Sequence, residues 1–170
     1  MKNFLTPLAA VVLLTMGFSM KSTAQESPSA TAQNTIDGVS ITIEYHSPKV
    51  KERIIWGGLV PYDKVWRTGA DAATTLEVSD DVNIEGHTIP KGKYALFTIP
   101  QKGDTWTVIL SNKADQWGAF NYKQEDDFIR FDVKGSRTVD LHESLQFDIT
   151  DEGIITFAWE YKTFSLKVEK

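Results

Sequence analysis

The segment 66–71, which reads Trp-Arg-Thr-Gly-Ala-Asp, holds the side chains best suited to chemistry. Arg67 offers a planar fork of N–H donors that suits a carboxylate, a phosphate or paired sugar hydroxyls. Flat apolar faces on which a sugar or a peptide could stack are available from three tryptophans, namely Trp56, Trp66 and Trp117. The competing interpretation is that Arg67 fixes its own loop by bonding backbone carbonyls or Asp71, with the tryptophans packed beneath it. The residue types leave both interpretations open.

The predicted binding site collects aromatic, basic, acidic and hydroxyl side chains. Its residues are Trp56, Tyr62, Trp66, Arg67, Thr68, Asp71, Trp117, Tyr122 and His46. We expect a non-catalytic module that binds a small molecule, a glycan or a peptide-like ligand there. One alternative is a hydrolase or isomerase in which His46 and Asp71 act with Arg67 as an electrostatic clamp. The other is a structural or protein-interaction module whose loops pack on a partner.

Motifs for covalent catalysis or cofactor binding are missing from the sequence. The chain has no cysteine and neither a G-x-S-x-G nor an S-x-x-K sequence, the usual settings of a reactive nucleophile. None of the three histidines lies at metal-ligand spacing from another, so we expect neither a metal nor a cofactor. Glu44, Asp71 and Asp115 could pair across a cleft as glycosidase carboxylates do, at a separation that only the fold determines.

The elements that must position these residues are strands, because the dominant hydrophobic period from Ile36 onward is two. Alternating runs cover residues 39–45, 74–78, 82–84, 87–89, 94–99, 106–110, 129–133, 145–149, 155–161 and 164–168. This spacing predicts an all-β fold, an antiparallel β-sandwich or jelly-roll-like body of eight to nine strands. Two long segments interrupt the pattern, 47–73 and 111–127, and both are rich in aromatic residues. Connections of that length are commonly functional or packed on themselves.

The amino-terminal residues have the layout of a secretory signal peptide. Lys2 precedes an apolar stretch over residues 4–18, and Ser22 and Ala24 are small residues at a cleavage position. We expect a signal peptide over 1–24, a disordered linker over 25–35 because of its Ser, Ala, Thr and Gln content, and a single β domain over 36–170. No cysteine follows the apolar stretch, so we expect a periplasmic or secreted protein that is not a lipoprotein.

The charge of the mature chain bears on its partners. Without Lys2 and Lys21 the chain keeps 16 basic against 23 acidic residues, a net charge of −7. This balance argues against nucleic acid as the main partner. No later segment is apolar over the roughly 18 residues needed to span a bilayer, so we expect no membrane insertion after cleavage. The oligomeric state stays open.

Several segments together resemble a known family. Residues 47–51 read Ser-Pro-Lys-Val-Lys, residues 55–62 Ile-Trp-Gly-Gly-Leu-Val-Pro-Tyr and residues 65–70 Val-Trp-Arg-Thr-Gly-Ala, with further matches at 93–100, 106–109 and 116–119. They resemble the signature of a secreted bacterial domain, domain of unknown function 2911, from about Ile36 onward. The resemblance implies an exported domain common in the Bacteroidetes lineage and implies no activity. The family pattern often has Asn and Glu where this chain has Asp71 and Ala72, so a role that needs an acid at position 72 is not expected.

Overall fold

The computed structural model describes residues 26–170, and this part of the chain is built from strands. They are β1 (Ser29–Ile36), β2 (Val39–His46), β3 (Thr75–Val78), β4 (Val82–Ile84), β5 (His87–Ile89), β6 (Gly92–Pro100), β7 (Thr105–Ser111), β8 (Asp127–Ile149) and β9 (Ile154–Glu169). All neighbours pair antiparallel in one sheet of order β1-β2-β3-β6-β7-β8-β9-β4-β5, which is not closed. The predicted all-β antiparallel class is confirmed. The predicted signal peptide lies outside the described residues.

The alternation seen in the sequence separates the two faces of the sheet. In β6, Leu96 belongs to the main core, whereas its neighbours Ala95 and Phe97 belong to a smaller cluster on the outer face. Side chains that follow one another along a strand point to opposite faces, so a single strand serves both clusters. The main core is rich in aromatic rings, and Trp106, Trp159 and Phe157 are among its fully buried members.

The last two strands of the chain, β8 and β9, are each a single long strand that the sequence pattern divides into two runs. The runs 129–133 and 145–149 are joined in β8, and the runs 155–161 and 164–168 are joined in β9. The pairing register of β8 with β9 shifts between Arg137 and Gln146. Bulges of this kind break the two-residue period without ending the strand, so each of these strands shows two alternating runs in the sequence.

The linker predicted over residues 25–35 is largely a strand. Every residue of β1 from Ser29 to Ile36 pairs with β2, and only Ala32 and Ile36 are buried. The prediction rested on the low apolar content of the segment. Backbone hydrogen bonds to β2 need no apolar side chains, and they order a sequence whose composition is typical of disorder.

The sheet curls so that the second half of β8 returns to the end of β2. The Phe147 amide donates to the Tyr45 hydroxyl at 3.2 Å, and the Leu145 amide donates to the Pro48 carbonyl at 2.9 Å. The Ser47 hydroxyl donates to the Leu145 carbonyl at 2.6 Å. This contact encloses the aromatic core between the two halves of the sheet.

The two long connections meet on the outer surface. One joins β2 to β3, and the other joins β7 to β8 and ends in a short 3-10 helix, Gln124–Asp126. An isolated bridge pairs Ala72 with Trp117. The Ala73 amide donates to the Gln116 carbonyl at 2.9 Å, and the Gly118 amide donates to the Asp71 carbonyl at 3.0 Å. Within residues 26–170 there is no helix with the length and apolar character needed to cross a membrane.

Candidate functional site

Arg67 lies at the base of a tightly bonded loop. Trp66 and Thr98 of β6 exchange backbone hydrogen bonds of 2.8 and 2.9 Å, and the chain returns to the sheet where the Thr74 amide donates to the Arg67 carbonyl at 3.2 Å. Inside the loop, the Thr74 hydroxyl donates to the Thr68 carbonyl at 2.9 Å. Thr68 and Asp71 take positive φ values of 54° and 55°. These bonds fix the backbone on both sides of the guanidinium.

Two hollows adjoin Arg67. The inner hollow, about 170 Å³, opens at the end of the aromatic core and includes Ser27, Arg53, Leu59, Trp66, Arg67 and Trp159 in its lining. The outer hollow, about 280 Å³, includes Leu59, Pro61, Lys64, Trp66, Arg67 and Phe120. Leu59, Trp66 and Arg67 line both, so the hollows are neighbours that share one wall. Leu59 is 49% exposed and Phe120 is 86% exposed, which gives the site an apolar rim.

Two buried N–H donors on residues of the inner hollow have no hydrogen-bond partner among the described residues. One is Arg67 Nε, and the other is the indole Nε1 of Trp159. A buried donor without an acceptor costs about 1–3 kcal/mol. Both residues line the inner hollow, and a carboxylate has enough acceptor positions for two such donors.

The electrostatics of Arg67 follow from its burial. Desolvation lowers the pKa of the guanidinium from its ordinary value, and the nearby charge of Asp71 opposes this shift. Asp71 itself accepts a hydrogen bond from the Ser27 amide at its Oδ2, 2.9 Å away. None of the ion pairs formed by residues 26–170 involves Arg67. Its charge is thus partly desolvated and only indirectly compensated, which is the state that attracts an anion.

A larger cleft beside the contact between the two connections shares no lining residue with either hollow. This sheet cleft has a volume of about 520 Å³ and includes Glu44, His46, Ala72, Lys93, Asp115 and Gln116 in its lining. Glu44 and Asp115, two of the carboxylates that the sequence offered as a pair, therefore face one cavity. Hydrogen bonding to Lys93 lowers the pKa of Glu44, so Glu44 is held ionised and is poorly suited to act as a general acid.

The predicted tryptophans separate into two environments. Trp56 and Trp66 belong to the aromatic core, where the Trp66 ring stacks on Trp159 with centroids 5.8 Å apart and the Trp56 ring meets Trp106 edge-on at 5.2 Å. Trp66 contributes to the walls of both hollows. Trp117 is 58% exposed and pairs with Ala72, so it lies on the surface of the loop contact.

Tyr62, Thr68 and Tyr122 have structural partners. The Tyr62 ring centroid lies 5.1 Å from Lys162 Nζ, and the buried Thr68 hydroxyl bonds the Thr98 hydroxyl at 3.1 Å. Tyr122 packs on the outer cluster and donates to Asp127 Oδ2 at 2.8 Å. Burial, together with the hydrogen bond to Asp127, raises the pKa of Tyr122 to about 12.

The residues of the alternative catalytic hypothesis are not gathered in one cavity. His46 lines the sheet cleft, whereas Arg67 lines the two hollows. The hydrogen bond between His46 and the Arg67 loop is made by the backbone, where the His46 carbonyl accepts from the Ala70 amide at 3.4 Å. Asp71 lines none of these three cavities. In residues 26–170, no group of three or more His, Asp or Glu side chains is arranged to hold a metal ion.

Fold and site together define the class of this protein: a nine-stranded antiparallel β domain with an arginine-lined hollow beside two joined loops. The chain matches the model of the family described as "Protein of unknown function (DUF2911)" over residues 27–168, and it belongs to that family. The match confirms the resemblance drawn from the motifs and extends it through β1. Neither the curated proteins nor the solved structures gave a match.

Several residues of these cavities lie outside the predicted site, among them Leu59, Phe120, Trp159 and Gln116. Leu59 and Phe120 lie in the two connections, where their type gave no sign of exposure. Trp159 lies in the alternating run 155–161, and it is buried; only the missing partner of its indole N–H indicates a second role. Gln116 lay within a family motif, but its lone buried oxygen becomes visible only in the folded chain.

Proposed function

We propose that this protein is a ligand-binding module whose inner hollow takes a carboxylate carried by a peptide-like or acidic glycan ligand. The observation that supports this most strongly is the pair of buried, partnerless donors on one hollow, Arg67 Nε and Trp159 Nε1. A carboxylate has enough acceptor positions to satisfy both. The outer hollow beside it, rimmed by Leu59 and Phe120, accommodates the apolar part of the same ligand.

The absence of a recognisable nucleophile in the sequence supports a binding function over a catalytic one. The hydrolase hypothesis needs His46 within hydrogen-bond reach of the groups it serves, and His46 lines a different cavity from Arg67. Binding at the inner hollow needs only the groups that already line it. We further propose that the module acts after export, in the periplasm or outside the cell, as the amino-terminal pattern indicates.

Isothermal titration calorimetry tests the proposal with N-acetyl-leucine and its neutral counterpart N-acetyl-leucinamide, and with glucuronate as an acidic sugar. We expect the carboxylates to bind and the amide to bind poorly. Arg67→Met or Trp159→Phe should weaken carboxylate binding by about 10- to 100-fold, because a hydrogen bond to a charged group contributes about 1.5–3 kcal/mol.

Arg53→Met is the matched control. Arg53 lines the same hollow, but its guanidinium already donates to the Val50 and Lys49 carbonyls. Equal binding of the acid and the amide, or an equal loss in Arg53→Met, would contradict the proposal. So would a failure of both N-acetyl-leucine and glucuronate to bind to the folded protein.

A further inference from the structure

The sheet cleft is the largest of the three cavities and is separate from the hollows at Arg67. Its volume of about 520 Å³ falls within the roughly 300–1,000 Å³ of small-molecule sites. The wall between the cleft and the Arg67 loop is the backbone contact of Ala72 and Ala73 with Gln116 and Trp117. The cleft can therefore bind a ligand independently of the function proposed for the hollows.

Gln116 gives the cleft an unsatisfied acceptor. Gln116 is buried, with 7% of the residue exposed. Its Nε2 donates to the Lys113 carbonyl at 2.6 Å, whereas its Oε1 is buried and has no partner among the described residues. An unpaired buried amide oxygen is unfavourable, and a ligand hydroxyl or amide N–H in the cleft would pair with it.

The cleft is lined by two carboxylates, Glu44 and Asp115, and by one ammonium, Lys93. The Lys93 ammonium pairs with Glu44 and lies close enough to Asp115 for that carboxylate to help raise its pKa, after the larger effect of the hydrogen bond to Glu44. The carboxylates of Glu44 and Asp115 thus share a cationic neighbour. A lining of this kind disfavours a free anion, because carboxylates outnumber the ammonium. It offers donors and acceptors side by side, which suits groups that both donate and accept.

The remaining lining is small or hydroxylated. Ala30, Ala72 and Ala114 leave room for a ring to approach the backbone, and Thr31 and Thr75 add hydroxyl groups. Hydroxyl groups of a ligand can exchange hydrogen bonds with such a surface, while its C–H faces lie against the alanines.

We propose that the sheet cleft binds a neutral polyhydroxylated ligand of the saccharide class, with Gln116 Oε1 accepting from one ligand hydroxyl and the Glu44–Lys93 pair contacting others. Binding here needs no chemistry on the ligand. It gives the chain a second ligand site that shares no lining residue with the hollows at Arg67.

The test is a ¹H–¹⁵N NMR titration of the chain from Gln25 to Lys170, with glucose, N-acetylglucosamine and cellobiose as probes. At least one sugar should shift the signals of the Gln116 side-chain amide and of Ala72 and Ala114. Gln116→Met should weaken the binding of that sugar by about three- to tenfold, as expected for one lost hydrogen bond. Gln33→Met is the control, because Gln33 is an exposed residue of β1 outside the cleft.

A second variant keeps the test decisive if Gln116→Met folds poorly. Thr31→Trp changes an exposed strand residue at the cleft and should block the sugar while leaving the thermal midpoint unchanged. The proposal is overturned if none of the three sugars binds, if the shifts map to Arg67 and Phe120, or if neither variant weakens binding. Loss of sugar binding with retained carboxylate binding at Arg67 would separate this site from the proposed function of the hollows.

Discussion

Lys162 is an ammonium buried among aromatic rings at the end of the core. It is 6% exposed, and its Nζ lies 5.1 Å from the Tyr62 ring centroid, 5.7 Å from that of Trp56 and 5.9 Å from that of Trp106. Desolvation lowers its pKa, although Asp104 and Glu160 act in the opposite direction. The folded state therefore disfavours the charged amine relative to the unfolded chain, and cation–π contacts offset only part of this cost.

Replacing Lys162 by methionine should expose this effect as a pH dependence. Because the folded pKa is depressed for a base, the unfolded chain binds more protons between the folded pKa and the ordinary value of 10.5. The free energy of unfolding of the wild type should rise with pH in that window. The free energy of unfolding of Lys162→Met should consequently exceed that of the wild type most at neutral pH, and this difference should shrink as the pH approaches 10.5.

Urea unfolding of both proteins at several pH values measures the difference. Lys162→Ala is the packing control and should be less stable than Lys162→Met by about 1–3 kcal/mol, since alanine leaves a cavity where methionine fills the space of the lysine stem. A difference between wild type and Lys162→Met that does not change with pH would refute the account.

Residue types predict the candidate site only in part. Arg67 could be singled out because a guanidinium between aromatic residues has a recognisable chemistry. Trp159 and Gln116 could not, because their distinguishing feature is the absence of a partner for one atom, and the fold alone decides which atoms meet. Trp56 shows the reverse case, since its type suggested a stacking face and its packing is mostly internal.

At the scale of the elements, the alternating pattern predicted most strands, whereas the composition of residues 25–35 led to the prediction of a linker where β1 lies. The run 39–45 is β2 almost to the residue, and the runs 82–84 and 87–89 are β4 and β5. β1 was missed because its stabilising interactions are backbone bonds to a strand that follows it. The continuity of β8 and β9 was missed because bulges interrupt the alternation on which strand prediction depends.

The turn between β8 and β9 should be far less tolerant of substitution than the turn between β1 and β2. Gly153 has φ +77°, and a Cβ there would collide with the Val168 carbonyl oxygen. Gly38 has a similar φ of +82°, and a Cβ there would meet nothing within 4 Å. Gly38→Ala should therefore cost only the left-handed backbone strain of about 1–2 kcal/mol, whereas Gly153→Ala should cost more than this because a backbone clash is added.

Thermal or urea unfolding of the two variants separates strain from collision. Equal losses in both would show that the β9 backbone yields at Val168, and that the close approach contributes nothing to the stability of the hairpin.

For the whole molecule, we propose that export removes the first 24 residues, as their pattern predicts. Expression of the full chain in a bacterial host should give a product in the periplasm or medium whose intact mass corresponds to a start near Gln25. Substituting Ala24 by a large charged residue such as Arg should slow processing, because signal peptidase reads small residues at the cleavage position. A soluble cytoplasmic product that retains Met1–Ala24 would contradict the proposal.

β8 also has a consequence for how the chain can be divided. Its first part pairs with β7, its later part pairs with β9, and near its end Ser144 bridges to Lys49 in the first connection. Segments from early, middle and late in the sequence thus all pair with β8. Among the described residues, a short contiguous fragment would not contain β8 together with all of these partners, so we expect the domain to unfold in one cooperative step.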